Sequence, residues 1–292
     1  KIFKNRWKTM LMDGKELARD IKAKIKAEID DIKRIYNVNP TVASILVGED
    51  PASQVYLNSQ IKSYQDLGIG VQKYFFSKEI SEAYLLNLID KLNKDTEVDG
   101  IMINLPLPPQ ISATKVLNRI KLIKDVDGFK AENLGLLFQN NEDFISPSTP
   151  AGIMELIKGY KIDLEGKDVV VIGRSNIVGK PVAALVLNSH GTVTICNSHT
   201  KNLKEKTKTA DVLISAVGKP KFITADMVKE GAVVIDVGIN RVNGKLEGDV
   251  DFENVQKKTS YITPVPGGVG ALTVAMLLSN ILKSFKANRG II

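Results

Sequence analysis

The feature that most constrains the fold is an apolar run, VVVIG, which leads directly into a segment with helical spacing, RSNIVGKPVAALVL (residues 169–187). The β-branched run predicts a buried strand that ends on Gly173, and Gly179 lies where the following helix should begin. A strand, a glycine-containing turn and a helix in this order are typical of the phosphate-binding half of a dinucleotide site. The alternative is an ordinary strand-to-helix turn, because the spacing is not G-x-G-x-x-G.

The physical chemistry of this turn suits a pyrophosphate. Gly173 permits a tight turn and a close backbone approach, and Ser175 can donate its hydroxyl. The amino terminus of the helix offers free N–H groups and the positive end of its dipole. We therefore predict a dinucleotide site here.

The sequence favours NADP over NAD. The next predicted strand, TVTICN, is followed by Ser198, His199 and Thr200, where an NAD site would place a carboxylate for the ribose hydroxyls. Arg174 and Ser198 could instead hold a 2′-phosphate, with His199 or Lys201 nearby. We interpret His199 as an exposed loop residue and not as a proton-transfer group.

Strand and helix patterns alternate along the whole chain, which predicts an α/β fold with parallel sheets covered on both faces. We expect two three-layer α/β domains, the second of Rossmann type. The predicted boundaries are residues 1–149 for the first domain, 150–272 for the dinucleotide-binding domain, and 273–292 for a C-terminal helix that packs back on the first domain.

Composition excludes several other classes. One cysteine and two histidines cannot form a disulfide framework or a zinc cluster, so no metal site is predicted. The net charge of +7 comes from lysines spread over amphipathic segments, which does not favour nucleic-acid binding. No apolar run approaches the roughly 20 residues that cross a bilayer, so a soluble protein is expected. The basic first ten residues are consistent with a leader remnant, a targeting tail or added sequence.

Six motifs occur in order: PASQVYLNSQIK, DGIMINLPLP, KDVDGF, VVVIGRSNIVGKP, VIDVGIN and YITPVPGGVGALTVAML. Together they resemble the methylenetetrahydrofolate dehydrogenase/cyclohydrolase family, from Asp13 to the last helix. The resemblance implies a folate bound between an N-terminal catalytic domain and an NADP-binding domain, and usually a homodimer. We expect a cytoplasmic enzyme of one-carbon metabolism that acts on tetrahydrofolate derivatives.

The resemblance also implies a chemistry and the residues that serve it. Hydride passes from 5,10-methylenetetrahydrofolate to NADP, and the methenyl product is then hydrolysed to 10-formyltetrahydrofolate. Tyr56 is expected to pack against the pterin, although a helical tyrosine alone would be read as a core residue. Asp127 is expected to accept hydrogen bonds from the pterin, whereas Asp125 is assigned the role of stabilising the turn. The folate positions are Tyr56, Leu105, Asp127, Pro266, Gly267, Gly268, Val269 and Gly270, and the cofactor positions are Gly173, Arg174, Ser175, Ser198 and Ile239.

Two departures from the family pattern affect the catalytic positions. Gln60 stands where the family has a lysine, and Asn104 where it has a glutamine. Because residues four apart lie on one helical face, Gln60 should lie under Tyr56 and face the substrate. Its amide does not titrate near neutral pH and cannot shuttle a proton. Lys62 is a poor substitute, since it is rotated by about 200° around the helix.

The sequence therefore predicts an NADP-dependent dehydrogenase whose cyclohydrolase step is weak or missing. Hydride transfer depends mainly on alignment, while hydrolysis needs a positioned acid or base. Three alternatives stay open at this point. They are a fully bifunctional enzyme, a module that binds folate and dinucleotide without turnover, and a two-domain dehydrogenase similar to the shikimate dehydrogenases.

Overall fold

A computed structural model describes residues 9–48, 51–141 and 143–291, and the chain divides into two units, each with its own parallel sheet. The three-stranded unit comprises the described residues of 20–146 and 274–291. The six-stranded unit comprises residues 9–19 and Pro147–Thr273. The predicted domain boundaries stay predictions. Residues 9–19, predicted with the first domain, belong to the six-stranded unit instead.

The three-stranded unit has a parallel sheet of order β3-β2-β4. Its strands are β2 (Thr41–Val47), β3 (Gly70–Phe76) and β4 (Gly100–Ile103). Its helices are most of α1 (Gly14–Tyr36), then α2 (Pro51–Asp66), α3 (Glu82–Lys94), α4 (Ala113–Arg119), α5 (Ala131–Phe138) and most of α10 (Val269–Arg289). The sequence predicts a helix that begins at Ser81, and Ser81 caps α3: its hydroxyl accepts from the Tyr84 N–H. The sequence also predicts Asp50 as the N-cap of α2, and this residue lies outside the described residues.

Two apolar clusters cover the two faces of this sheet, as predicted. Val42 and Leu46 belong to the cluster on one face, and Ala43 and Ile45 to the cluster on the other. This alternation follows from the two-residue period of a strand. Because β2 is buried on both faces, it reads as a nearly continuous apolar run.

The six-stranded unit has a parallel sheet of order β1-β11-β8-β7-β5-β6. Its strands are β1 (Met10–Leu11), β5 (Asp168–Ile172), β6 (Thr192–Cys196), β7 (Val212–Ser215), β8 (Val233–Asp236) and β11 (Tyr261–Ile262). Its own helices are α6 (Ser148–Gly159), α7 (Gly179–Asn188), α8 (Leu203–Thr207) and α9 (Phe252–Val255). A separate antiparallel hairpin is formed by β9 (Asn240–Val242) and β10 (Lys245–Glu247). The predicted α/β fold with parallel sheets is confirmed.

The strand order reverses beside β5, since β6 lies on one side of it and β7 on the other. Parallel α/β sheets bind ligands at such a reversal, outside the carboxyl ends of the strands. A ligand site is therefore expected at the loops that follow β5, β6 and β7.

The C-terminal helix returns to the three-stranded unit, as predicted. Leu278, Ile281 and Phe285 lie in one of its apolar clusters. The Asn280 side-chain amide donates to the backbone oxygens of Val126 and Ser146, both at 2.9 Å. Among the described helices, α10 is long and apolar enough to cross a membrane by length and composition, and its burial in this core accounts for that composition.

The predicted start of α10 was wrong by one turn. The sequence placed the start at Thr273, after the glycine-rich loop, whereas the helix begins at Val269. Gly270 and Ala271 lie in the first turn of this helix, although glycine disfavours helical geometry. The predicted loop residues Val269 and Gly270 therefore belong to the first turn of a helix.

Candidate functional site

The turn after β5 is built on two close backbone approaches. Gly173 has φ +131°, and a Cβ there would meet the Ala216 carbonyl oxygen at 2.5 Å. A Cβ on Gly179 would meet the Gly173 carbonyl oxygen at 2.2 Å. Neither position admits another residue without movement of the backbone, because real Cβ contacts are longer than these distances. The strand, turn and helix predicted from the sequence are present with this geometry.

The free N–H groups lie in the turn and not at the helix terminus where they were expected. The Ser175 hydroxyl oxygen accepts from the N–H groups of Val178 (3.1 Å) and Gly179 (3.3 Å). The Lys180 N–H donates to the Ser175 carbonyl oxygen at 3.0 Å, and Pro181 has no N–H to offer. Within the described residues, the N–H groups of residues 174–177 donate to no other group. These four exposed donors can serve a phosphate.

A cavity of about 470 Å³ opens at the carboxyl ends of β5, β6 and β7. It brings together four of the predicted cofactor residues: Gly173, Arg174, Ser175 and Ser198. Its other lining residues are Ile172, Asn197, Thr200, Leu203, Ala216, Val217, Lys219 and Phe222. An apolar cavity wall beside free N–H donors and an arginine fits a dinucleotide with its phosphates.

Two predicted cofactor-side residues lie elsewhere. Ile239 is 63% exposed and does not line this cavity. Its Cδ1 is 3.5 Å from the position that a Cβ on Gly270 would take, so it lies beside the start of α10. Lys201, named as a possible 2′-phosphate neighbour, lines a separate hollow with Asn202 and Lys206. His199 is exposed, as interpreted from the sequence.

One wall of the cavity was not predicted from the sequence. It is formed by the loop after β7 and contains Ala216, Val217, Lys219 and Phe222. Part of this wall was predictable, because the apolar run VLISAVG predicts a strand whose carboxyl end faces the same edge as that of VVVIG. Lys219 is the second cation of the cavity, and its Nζ lies 5.9 Å from the centroid of the Phe222 ring.

Helix α2 carries the position at which the family has a lysine. Gln60 is only 5% exposed, and its Oε1 has no hydrogen-bond partner. An amide oxygen buried without a partner costs about 1–3 kcal/mol. Lys62 is exposed, as expected, so it does not replace the family's lysine. Tyr56 lies in the first turns of α2, where the structure describes the backbone of residues 51–56 but not their side chains.

Asn104 follows β4 and uses its amide within its own unit. Its Nδ2 donates to the Ile45 carbonyl oxygen at 2.9 Å and lies 3.5 Å from the Ser44 hydroxyl oxygen. No hydrogen bond joins Asn104 to the unpartnered Oε1 of Gln60. The two substituted positions therefore do not form a hydrogen-bonded pair through that oxygen. Leu105, which follows Asn104, is half-buried beside the apolar cluster on that face of the sheet.

The two carboxyl groups of KDVDGF lie in different environments. Asp125 is 1% exposed, and its Oδ2 accepts from the Lys130 N–H (2.8 Å) and the Asn133 amide (2.7 Å). It thereby fixes the turn that leads into α5. Burial raises the pKa of Asp127 to about 8, with a further contribution from Asp125, and the Ile103 N–H opposes this shift. Asp127 thus titrates near neutral pH.

The predicted folate loop, Pro266–Gly270, packs on the start of α1 within the six-stranded unit. The Gly14 N–H donates to the Gly267 carbonyl oxygen at 2.9 Å, and a Cβ on Gly14 would meet the Gly268 oxygen at 2.1 Å. Gly14 was not identified from the sequence, because its partner lies more than 250 positions away. The roles assigned to the folate-side residues stay predictions.

The chain was compared with known proteins. The sequence model of the tetrahydrofolate dehydrogenase/cyclohydrolase catalytic domain matches residues 12–127, and that of the NAD(P)-binding domain matches residues 147–289. The "Bifunctional protein FolD" of Fusobacterium nucleatum subsp. nucleatum is 88% identical over 283 residues, which is 97% of this chain and 100% of that one.

Solved structures agree with this match. The crystal structure of the bifunctional FolD enzyme from Campylobacter jejuni has a TM-score of 0.94 and 48% identity, covering 96% of this chain and 99% of that one. The Trypanosoma brucei enzyme, complexed with NADP and an inhibitor, has a TM-score of 0.91 and 34% identity, covering 96% and 98%. With both domain models matched and the dinucleotide turn in place, the chain belongs to the tetrahydrofolate dehydrogenase/cyclohydrolase family.

Proposed function

We propose that this chain oxidises 5,10-methylenetetrahydrofolate to the methenyl compound with NADP, and that it hydrolyses the methenyl product only weakly. Family membership supports both reactions, since the relatives bear a bifunctional name. The weak second step is supported by Gln60, a buried neutral amide at the position of the family's lysine.

Several features support NADP as the hydride acceptor. The cavity is lined by two residues with free N–H groups, Arg174 and Ser175, by a second cation, Lys219, and by an apolar wall. No carboxylate lines it, so an NAD-type ribose contact is missing among the described lining residues. NADP, when bound, supplies the carbon that receives the hydride. The residues around it have only to hold donor and acceptor in line, which needs no titrating group.

The second step places other demands on the protein. Ring opening of the methenyl compound requires that water be activated and that a nitrogen gain a proton. Gln60 carries a neutral amide, which cannot take up or release a proton near neutral pH. Loss of a general acid or base typically costs about 10²- to 10⁴-fold in the step that uses it.

A fully bifunctional enzyme is the second candidate, and Asp127 favours it. With its pKa raised to about 8 by burial, Asp127 titrates in the range where a general acid or base is effective. A non-catalytic binding module is the third candidate, and NADPH formation by the wild-type chain would exclude it. The shikimate dehydrogenase alternative is not supported, because the chain belongs to the folate family. The homodimer and the cytoplasmic location implied by the resemblance stay predictions.

The variant Gln60→Lys tests the proposal directly. We expect it to accelerate decay of the methenyl absorbance by about 100-fold or more, because it restores a group that can carry a proton. NADPH formation should change far less, since that step depends on alignment. Ser59→Lys is the matched control, because it adds a lysine to the exposed side of the same helix and should leave both rates unchanged. If Gln60→Lys hydrolyses no faster than the wild type, position 60 does not limit the second step.

A further inference from the structure

One fully buried carboxylate, Asp249, holds the wall of the dinucleotide cavity. It is 0% exposed and does not itself line the cavity. Its Oδ2 accepts from the N–H groups of Val217 (2.7 Å) and Gly218 (3.2 Å), and its Oδ1 accepts from the Lys219 N–H (2.9 Å). Three successive N–H groups therefore converge on one side chain, in the manner of an anion-binding nest.

These N–H groups belong to the loop that follows β7. Val217 and Lys219 both line the cavity, so the carboxylate sets the position of an apolar wall and of a cation. Ser215 adds a hydroxyl contact to Oδ2 at 3.2 Å. Backbone N–H groups that would otherwise be free after the strand are thus fixed by a charge-assisted contact.

The same side chain reaches a second segment. Asn240 donates to Asp249 Oδ1 at 3.1 Å, and it directly follows Ile239, a predicted cofactor residue. A Cβ on Gly238 would meet this Oδ1 at 2.1 Å, so the loop after β8 is packed directly against the carboxylate. One buried charge therefore ties together the loops that follow β7 and β8.

Asp249 is itself held in place by another carboxylate. Its own N–H donates to Asp236 Oδ1 at 2.9 Å, and the Val250 N–H donates to Asp236 Oδ2 at 2.9 Å. The position of Asp249 is therefore fixed independently of any ligand. A rigid support behind a binding wall lowers the ordering cost when the ligand binds.

We propose that Asp249 is a positioning residue for the dinucleotide, which sets NADP affinity by holding the Val217–Lys219 loop in its binding geometry. Asn240 is one of the donors that fix the carboxylate. The inference rests on the proposed use of NADP and adds a residue that does not touch the cofactor. Asn at position 249 would replace one acceptor oxygen by an NH₂ group that faces N–H donors, so the loop would lose its fixed position.

The test is NADP binding to the full chain, measured by calorimetry, with steady-state kinetics on the same samples. We expect Asp249→Asn to weaken the Kd for NADP about tenfold, with kcat at saturating NADP and KM for the folate within about threefold of wild type. Asn240→Ala removes one donor and should weaken NADP binding about threefold. Asp211→Asn is the control, because Asp211 also accepts a backbone N–H but lies at the opposite end of β7, and it should bind NADP normally.

Binding and turnover separate this inference from the proposed function. A wild type that binds NADP without forming NADPH would contradict the function, while the Kd comparison would still decide the role of Asp249. An unchanged Kd in folded Asp249→Asn would overturn the inference, as would an equal loss of NADP and folate binding. If Asp249→Asn does not fold, Asn240→Ala decides, and a wild-type Kd in that variant overturns the inference.

Discussion

At the scale of single residues, the proposed role of Asp127 predicts that folate binding depends on pH. Burial, followed by the neighbouring Asp125, raises the pKa of Asp127 to about 8, so its carboxyl is mostly protonated in the free protein at pH 7. Only the ionised form offers two acceptor oxygens to adjacent N–H donors of a pterin. Binding in the proposed manner must therefore release a proton below pH 8.

The expected result is a KM for methylenetetrahydrofolate that falls as pH rises from about 6.5 to 8, by up to tenfold per pH unit, and levels off above. The KM for NADP should not follow this profile. Initial rates of NADPH formation across this range measure both constants. Asp127→Asn should flatten the profile and weaken folate binding. A folate KM that is independent of pH in the wild type would show that Asp127 does not bind the pterin as a carboxylate.

Single residues could be predicted from the sequence where their structural partners are close to them along the chain. Gly173 and Ser175 were found because the strand, turn and helix that need them are contiguous in sequence. Lys219 and Asp249 were not predicted. Their positions depend on β7 lying beside β5, and on the hydrogen bond between these two residues, which are 30 positions apart in the sequence. The unpartnered oxygen of Gln60 could not be predicted either, since it depends on which donors the folded unit brings near it.

At the scale of elements, the last helix contributes most to the three-stranded unit through its apolar face. Phe285 is fully buried in the cluster formed with α1, α2 and β2, whereas Lys286 is partly exposed and pairs with Glu28 at 2.8 Å. A large side chain lost from a core typically costs about 3–5 kcal/mol, while an exposed ion pair contributes about 0–1 kcal/mol.

Phe285→Ala should therefore reduce the protection of β2 amides in native-state hydrogen exchange by several kcal/mol, and Lys286→Ala should hardly change it. Exchange resolved by segment is the suitable measurement, because a chain with two units need not unfold in one step. Equal effects of the two substitutions would mean that α10 does not stabilise this core.

Element types were easier to predict from the sequence than element ends. The sequences of β2, β5, β7 and β8 predict strands, because buried parallel strands are continuous apolar runs. The start of α10 was misplaced because glycines in its first turn resemble a loop. The two-residue strand β1 has no sequence signal of its own, since it forms only by pairing with β11, about 250 positions away.

At the scale of the whole molecule, the alternation of strands and helices predicted two α/β units with parallel sheets. It did not predict the strand order, because that order depends on which crossovers pack best and not on local pattern. Nor did it show that residues 9–19 belong to the six-stranded unit. The family to which the chain belongs carries out a pair of reactions, and the proposed effect of Gln60 is confined to the second of them.

The most direct test of this account is to follow both steps in one sample of the wild-type chain, supplied with methylenetetrahydrofolate and NADP. NADPH formation reports the first step, and decay of the methenyl absorbance above its rate in buffer reports the second. We predict that NADPH and the methenyl compound accumulate together, with enzymatic hydrolysis slower than hydride transfer by about 100-fold or more. A methenyl compound hydrolysed as fast as NADPH appears would contradict the claim that a neutral amide at position 60 limits the second step.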